Sequence, residues 1–327
     1  MMRAARLGAG LLLLAGLLSP GIAGMDEDLA SCTAAKGRDS ANACTRVMDS
    51  GRLPRSQFYI GYFNRGSGYK HAGDLDAAFA DFNRVISLNP DFARAYHARG
   101  LVRDEQDVPD KALEDFDRAI KLDDKDWGAF YSRAVLRRAR QDYDGAMADI
   151  EKAAALKPKH AHVRLLHALL KADKGDYAAA REEVNKVIDE GEAKAAAYYV
   201  RAFIAFDQED FDVATTDVDK ALDLKDTLAP ALVLKGRILE ARGDKAAAKT
   251  RFQQALAEPV SFIEGRSAQR RARERLNALN GVDTANAALD KPQVEKPAAV
   301  EDKPARAVGC KRFLPATGVT ITIDCDK

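Results

Sequence analysis

His160, His162 and His167 cluster in the stretch HAHVRLLH, and histidines at such spacing invite a metal reading. A metal site needs a complete ligand set. Here no cysteine or carboxylate completes a compact one, so no metal is assigned. Four cysteines are present, Cys32, Cys44, Cys310 and Cys325, at spacings that suit disulfides and not zinc. No Gly-rich phosphate loop or nucleophile motif occurs. Pairs such as Gly73-Asp74 and Gly175-Asp176 read as turns between helices. No catalytic residue and no cofactor follows from these residues, and the chain is expected to bind rather than to catalyse.

A second set of charged residues is ordered along the chain. Arg65, Arg99, Arg133, His167, Arg201 and Lys235 recur at one register position. Sixteen residues after the first five come Asp81, Asp115, Asp149, Glu183 and Asp217, while Arg251 breaks the acidic run. An anion-binding ladder is the functional reading. The structural reading pairs each base with a carboxylate on a helix of its own or a neighbouring repeat, and it is preferred, with modest energies where the pairs are solvated. The last repeat, lacking its acid, is where a spare cation is expected.

These positions are held by a repeat. Small residues recur every 34 residues at Gly66, Gly100, Ala134, Ala168, Ala202 and Gly236. Alanines recur at Ala78, Ala112, Ala146, Ala180, Ala214 and Ala248, each followed four residues on by Phe82, Phe116, Ile150, Val184, Val218 or Phe252. A period of this length signals stacked helix pairs. Asp74, Asp142, Asp176, Asp210 and Asp244 stand just before the second helix, where a carboxylate accepts first-turn N–H groups and meets the positive end of the helix dipole. The second repeat reads Asp107-Val108-Pro109 instead, with Pro suited to a first helical turn. Pro90 and Pro158 close repeats, and Phe82, Val85 and Ile86 show the helical spacing of a buried face.

The spacing and these residue types resemble the tetratricopeptide repeat over roughly residues 59–260. The resemblance implies an all-α, right-handed superhelical array of helix-turn-helix repeats and a protein-binding role. It also implies that the first helices line a concave groove, with repeat positions 2, 5, 9, 12 and 13 facing inward. Position 5 is then Phe63, His97, Tyr131, Leu165, Tyr199 and Val233, and position 9 is Ser67, Leu101, Val135, Leu169, Phe203 and Arg237. Family members that clamp a C-terminal carboxylate carry Lys and Asn at these positions; this chain has neither there. Its groove reads as apolar and aromatic, above all around Tyr199, Phe203 and Phe206. Aromatic anchors suit an extended or helical protein segment; packing between adjacent first helices is the alternative use of the same side chains.

Stepping back one period from Gly66 and Ala78 lands on Cys32 and Cys44, so residues 24–58 resemble a degenerate leading repeat with cysteines at both close-approach positions. A Cys32–Cys44 bond there would staple the terminal repeat, the one prone to fray, and would contribute about 3 kcal/mol for so short a loop.

Formal net charge is +1, and removal of a leader carrying Arg3 and Arg6 leaves +1 − 2 = −1. That balance lacks the clustered basic excess of a nucleic-acid binder. Residues 1–23, MMRAARLGAGLLLLAGLLSPGIA, read as a secretory signal cleaved after Ala23, with an apolar run too short for a comfortable span. An uncleaved anchor and a lipoprotein with Cys32 lipidated are the alternatives. Against the second, Asp26-Glu27-Asp28 interrupts the apolar run before Leu29-Ala30-Ser31-Cys32, and Cys44 would lose its partner. The expected location is periplasmic or secreted, with no membrane span after cleavage.

Beyond Pro259, residues 261–280 are expected to form a capping helix with Ala268, Ala272, Leu276 and Leu279 in a stripe and five arginines on the remainder. Residues 281–309, rich in Ala, Lys, Glu and Pro, are expected to be a disordered linker that at about 3.1 Å per residue reaches roughly 90 Å. Residues 310–327 predict a short β-hairpin, Lys311–Leu314 against Val319–Ile323 around a Pro315–Gly318 turn, closed by Cys310 and Cys325. The overall expectation is a non-catalytic interaction scaffold of the cell envelope. The alternative is a structural envelope protein that holds peptidoglycan or another polymer through the C-terminal clip.

Overall fold

Asp side chains at one repeat position start five of the second helices of the pairs. The computed structural model describes residues 20–51, 53–258, 263–281, 310–314 and 319–323, with backbone alone for 20–25, 263–266 and the last two stretches. The expected leader up to residue 19, the linker over 282–309, the Pro315–Gly318 turn and the Cys310–Cys325 bond lie outside the described residues. Helices α1 (Pro20–Ala34) and α2 (Gly37–Asp49) precede six helix pairs. These are α3 (Phe58–His71) with α4 (Leu75–Leu88), α5 (Ala93–Glu105) with α6 (Pro109–Leu122), and α7 (Trp127–Ala139) with α8 (Tyr143–Leu156). Then come α9 (Ala161–Asp173) with α10 (Tyr177–Glu190), α11 (Lys194–Asp207) with α12 (Phe211–Leu224), and α13 (Ala229–Ala241) with α14 (Lys245–Ala257). A last helix, α15, spans Ile263–Leu279.

Asp74, Asp142, Asp176, Asp210 and Asp244 each accept a first-turn backbone N–H, for example Gly145 N–H to Asp142 Oδ1 at 3.0 Å. Pro109 opens α6 in place of such a cap. The turn before each cap demands a left-handed residue. Gly175 and Gly243 take it at φ +88° and +86°, but Gln141 and Glu209 hold it at +64° and +62°, a conformation glycine adopts without strain.

Within a pair the helices meet through the small residue of the first and the bulky residue of the second. A Cβ on Gly100 would lie 2.6 Å from Cε1 of Phe116, and one on Gly236 2.5 Å from Cε1 of Phe252. The two residues are matched by size. Gly66, Gly100 and Gly236 face Phe82, Phe116 and Phe252, whereas Ala134, Ala168 and Ala202 stand in register with Ile150, Val184 and Val218. All six bulky side chains are at most 1% exposed. First helices also touch the first helices of neighbouring repeats, as α9 does α11 and α11 does α13. They therefore form the inner layer of a curved stack. One core runs from Phe130 to Ile238 through the third to sixth repeats.

Cys32 and Cys44 form a disulfide between α1 and α2, with Cα atoms 4.6 Å apart. At the other end Ala268 and Ala272 of α15 are fully buried, and Gln269 Nε2 donates to the Glu258 carbonyl at 2.7 Å. Arg270 comes within 3.6 Å of Asp107 in the turn between α5 and α6. The chain divides into two units, the first ending at Arg273. In the second, strands β1 (Cys310–Leu314) and β2 (Val319–Ile323) pair antiparallel, with Cys310 opposite Ile323. Among the described residues no helix is long and apolar enough to cross a membrane.

Candidate binding groove

The charged ladder is structural, and it joins repeats. Arg133 grips Asp149 of its own repeat through Nε at 2.8 Å and Nη2 at 2.5 Å, and its Nη1 reaches back to Asp117 of the preceding repeat at 2.6 Å. Arg99 does the same with Asp115 and Asn83, and Arg201 with Asp217 and Asn185. Arg65 holds Asp81 and Thr45. Forked, charge-assisted bonds of this kind fix geometry as well as charge. The expected spare cation in the sixth repeat is not there. Lys235, its own acid replaced by Arg251, reaches back to Asp219 at 2.7 Å and is only 13% exposed. The reach to position 16 residues earlier supplies the carboxylate that the forward register lacks.

His167 keeps the ladder position with a weaker set. Its Nδ1 lies 3.1 Å from Glu183, which also takes Lys171 at 2.8 Å. Burial pushes the Glu183 carboxyl up, but its bonds to His167 and Lys171 outweigh that and hold it below the ordinary value. His160 instead stacks on Trp127, ring centroids 4.4 Å apart, and His162 lies 5.8 Å from His160. The three histidines are thus divided between an aromatic cluster and the ladder. Among the described residues no group of His, Cys, Asp and Glu is placed to hold a metal ion.

The groove positions sort by exposure. Tyr131, Val135, Leu165 and Tyr199 are 7%, 7%, 3% and 3% exposed, so they pack between first helices, and Tyr131, Leu165 and Tyr199 line a residual cavity of about 20 Å³ together with His162. Phe63, His97, Leu101, Phe203 and Phe206 are half-buried and reach the surface. In the later repeats the rings carry the chain's own guanidinium groups, Arg138 over Phe203 at 5.3 Å and Arg237 over Phe206 at 4.4 Å. Arg138 also pairs with Asp173 at 2.5 Å. Beside them burial, and then repulsion from Asp173, push the Asp207 carboxyl up despite Arg237 and Arg138.

In the early repeats the groove opens into a cleft of about 390 Å³ between α3, α5 and α7, lined by Phe63, Arg94, His97, Leu101, Lys125 and Trp127 among others. Its floor contains an arrangement that sequence spacing did not reveal. His97 Nδ1 lies 3.0 Å from Asp126 Oδ2, and His97 Nε2 lies 3.1 Å from Ser132 Oγ. Burial pushes Asp126 up, and the bonds from His97 and from the N–H groups of Ala129 and Gly128 overcome it, holding the carboxyl low. The order matches a Ser-His-Asp triad. Ser132 is only 4% exposed, however, and sits inside α7, where backbone N–H groups are engaged in the helix and cannot form an oxyanion hole. The contact ties the second repeat to the N-terminus of α7. Gly128 is small because a Cβ there would come 2.9 Å from the His97 ring. The one readable signal was Asp126, a capping residue directly before Trp127.

With the geometry described, the fold can be named: the array is a tetratricopeptide-repeat fold. Residues 60–92 match the family model "Tetratricopeptide repeat". A tetratricopeptide repeat protein from Parabacteroides merdae superposes with a TM-score of 0.60 at 21% identity, over 77% of this chain and 97% of that one. PilW, described as a widely conserved type IV pilus biogenesis factor, gives a TM-score of 0.50 at 19% identity over 64% of this chain and 98% of its own. The Cut9–Hcn1 hetero-tetramer of APC/C gives 0.52 at 12% identity over 80% and 57%. A comparison with curated proteins returns no match.

Proposed function

We propose that this protein is a non-catalytic scaffold of the cell envelope that holds a segment of a partner protein along the trough of first helices. The observation that carries this reading is the open cleft at Phe63, His97 and Leu101, where apolar and polar side chains converge on a surface that the described residues leave uncovered. Export is supported by the Cys32–Cys44 bond, since disulfides persist in oxidising compartments. The pairing of β1 with β2 supports a second reading, in which the C-terminal hairpin, with Cys310 and Cys325 at its ends, holds an envelope polymer and the array is a spacer.

A photo-crosslinking residue placed at Leu101 or Phe203 in cells, with Val213, 46% exposed on a second helix, as control, separates the readings. The groove reading expects specific protein adducts at Leu101 and Phe203 that Val213 does not give. The same adducts at all three positions reject it. Loss of envelope sedimentation on removing residues 281–327, with no groove adducts, supports the clip.

A further inference from the structure

We propose that the cleft between α3, α5 and α7 seats an acidic side chain, the carboxylate of an Asp or Glu flanked by an apolar residue in the partner segment. This rests on the groove reading and specifies the chemistry of its occupant. Two acids and two bases line the cleft, Asp123, Asp126, Arg94 and Lys125, so formal charge does not decide the sign. Engagement does. Asp126 is taken up by His97 and by the N–H groups of Gly128 and Ala129. Asp123 turns back on its own loop and accepts the Lys125 N–H at 3.0 Å. Arg94 and Lys125, both exposed, contact no carboxylate among the described residues.

Arg94 differs from its neighbours Arg65 and Arg99, which grip Asp81 and Asp115. Its guanidinium instead lies 4.9 Å from the Phe63 ring centroid, a contact that holds the group in place and consumes none of its N–H donors. A carboxylate beside it would gain charge-assisted bonds from a donor already positioned. Phe63, Ala98, Leu101 and Trp127 supply the apolar wall, and about 390 Å³ accommodates an acidic side chain with part of its neighbour. On one side the groove continues at the half-buried Ser67, and on the other it meets the buried Tyr131. The occupant is taken as an internal residue of the partner segment, and a peptide with a free C-terminal carboxylate tests a chain end against it.

Trp127 is the single tryptophan of the protein and lines the cleft, so its emission reports occupancy. The purified chain is titrated with an acetylated, amidated peptide carrying Phe-Glu-Phe, with Gln and Lys counterparts, and with the Gln peptide bearing a free C-terminal carboxylate. The Glu peptide is expected to shift Trp127 emission and bind about tenfold more tightly than the Gln peptide, with the advantage falling as salt rises. Arg94→Ala with Lys125→Ala should bring the Glu peptide to the Gln level at unchanged helicity. Asp123→Asn should tighten Glu binding a few-fold, which a merely structural role would not do. Equal Glu and Gln binding, preference for Lys, a requirement for the free C-terminus, or no emission change with any peptide overturns the proposal. None of these outcomes touches the crosslinking result, so the two readings fail separately.

Discussion

Replacing Gly100 by Ala tests whether helix pairs are matched by size. The new Cβ would stand 2.6 and 2.8 Å from two ring carbons of Phe116, where ordinary carbon contacts are about 3.5–4.0 Å. Phe116 is 1% exposed and has nowhere to swing. Overpacking of this kind costs about 1–3 kcal/mol, partly offset by the roughly 0.8–1.0 kcal/mol that Ala gains over Gly inside a helix. The single variant should lose about 1 kcal/mol. Phe116→Val alone opens a void and should lose about 2–3 kcal/mol, somewhat less than a full truncation to Ala. Together the two changes recreate the Ala202–Val218 combination of the fifth repeat, so the double variant should lose about 2 kcal/mol less than the sum. Urea unfolding followed by far-UV circular dichroism gives the cycle. Hydrogen exchange on α5 and α6 localises the effect, since repeat arrays can unfold piecemeal. Additivity within about 0.5 kcal/mol, or a stabilising Gly100→Ala, would refute the size-matching account.

Three further outcomes are expected. Reducing Cys32–Cys44, or replacing both by Ala, should cost about 3 kcal/mol, seen as early protease cutting in α1 and α2 and a lower urea midpoint. Arg65→Ala leaves Asp81, 5% exposed, without its guanidinium. The loss should be about 3 kcal/mol, the low end for a broken buried pair because the vacated space admits water, and Asp81→Asn in the same chain should recover part of it in a thermal melt. His162 has its pKa lowered by burial first, then by His160 and Lys225. A base depressed in the folded state contributes stability above its unfolded value of about 6.5 and loses it as pH falls through the folded value. His162→Leu should therefore flatten the decline in stability between about pH 7 and 5 by up to about 1.4 kcal/mol per pH unit; an unchanged slope by urea titration counts against it.

Much of the array was legible because each repeat solves one packing problem in the same way. Small residues at one position, an Asp before each second helix and a base answered sixteen residues later are local rules, and period alone exposes them. The groove was legible only as topology. Tyr199 and Phe203 lie four residues apart on one helix and read alike, yet Tyr199 is buried against the neighbouring first helices while Phe203 reaches the surface. That difference depends on the spacing between repeats, which no single helix encodes. The His97–Asp126–Ser132 contact joins residues 29 and 35 positions apart and breaks the repeat rule, so periodicity hides it. The spare cation expected in the sixth repeat followed from its missing acid, but Lys235 takes Asp219 of the preceding repeat instead.

One joint in the ladder is missing. Arg65, Arg99, Arg133, Arg201 and Lys235 each reach the unit before them, but His167 is too short to do so, and Glu151, which stands where a partner would, takes no hydrogen bond or ion pair among the described residues. Between the third and fourth repeats the polar link is made elsewhere, by Arg138 with Asp173 and by Lys174 with Asp144, close to the turns that join paired helices. That junction is therefore tied along one rim of the stack, and shear there is resisted at the turns and not midway along the helices.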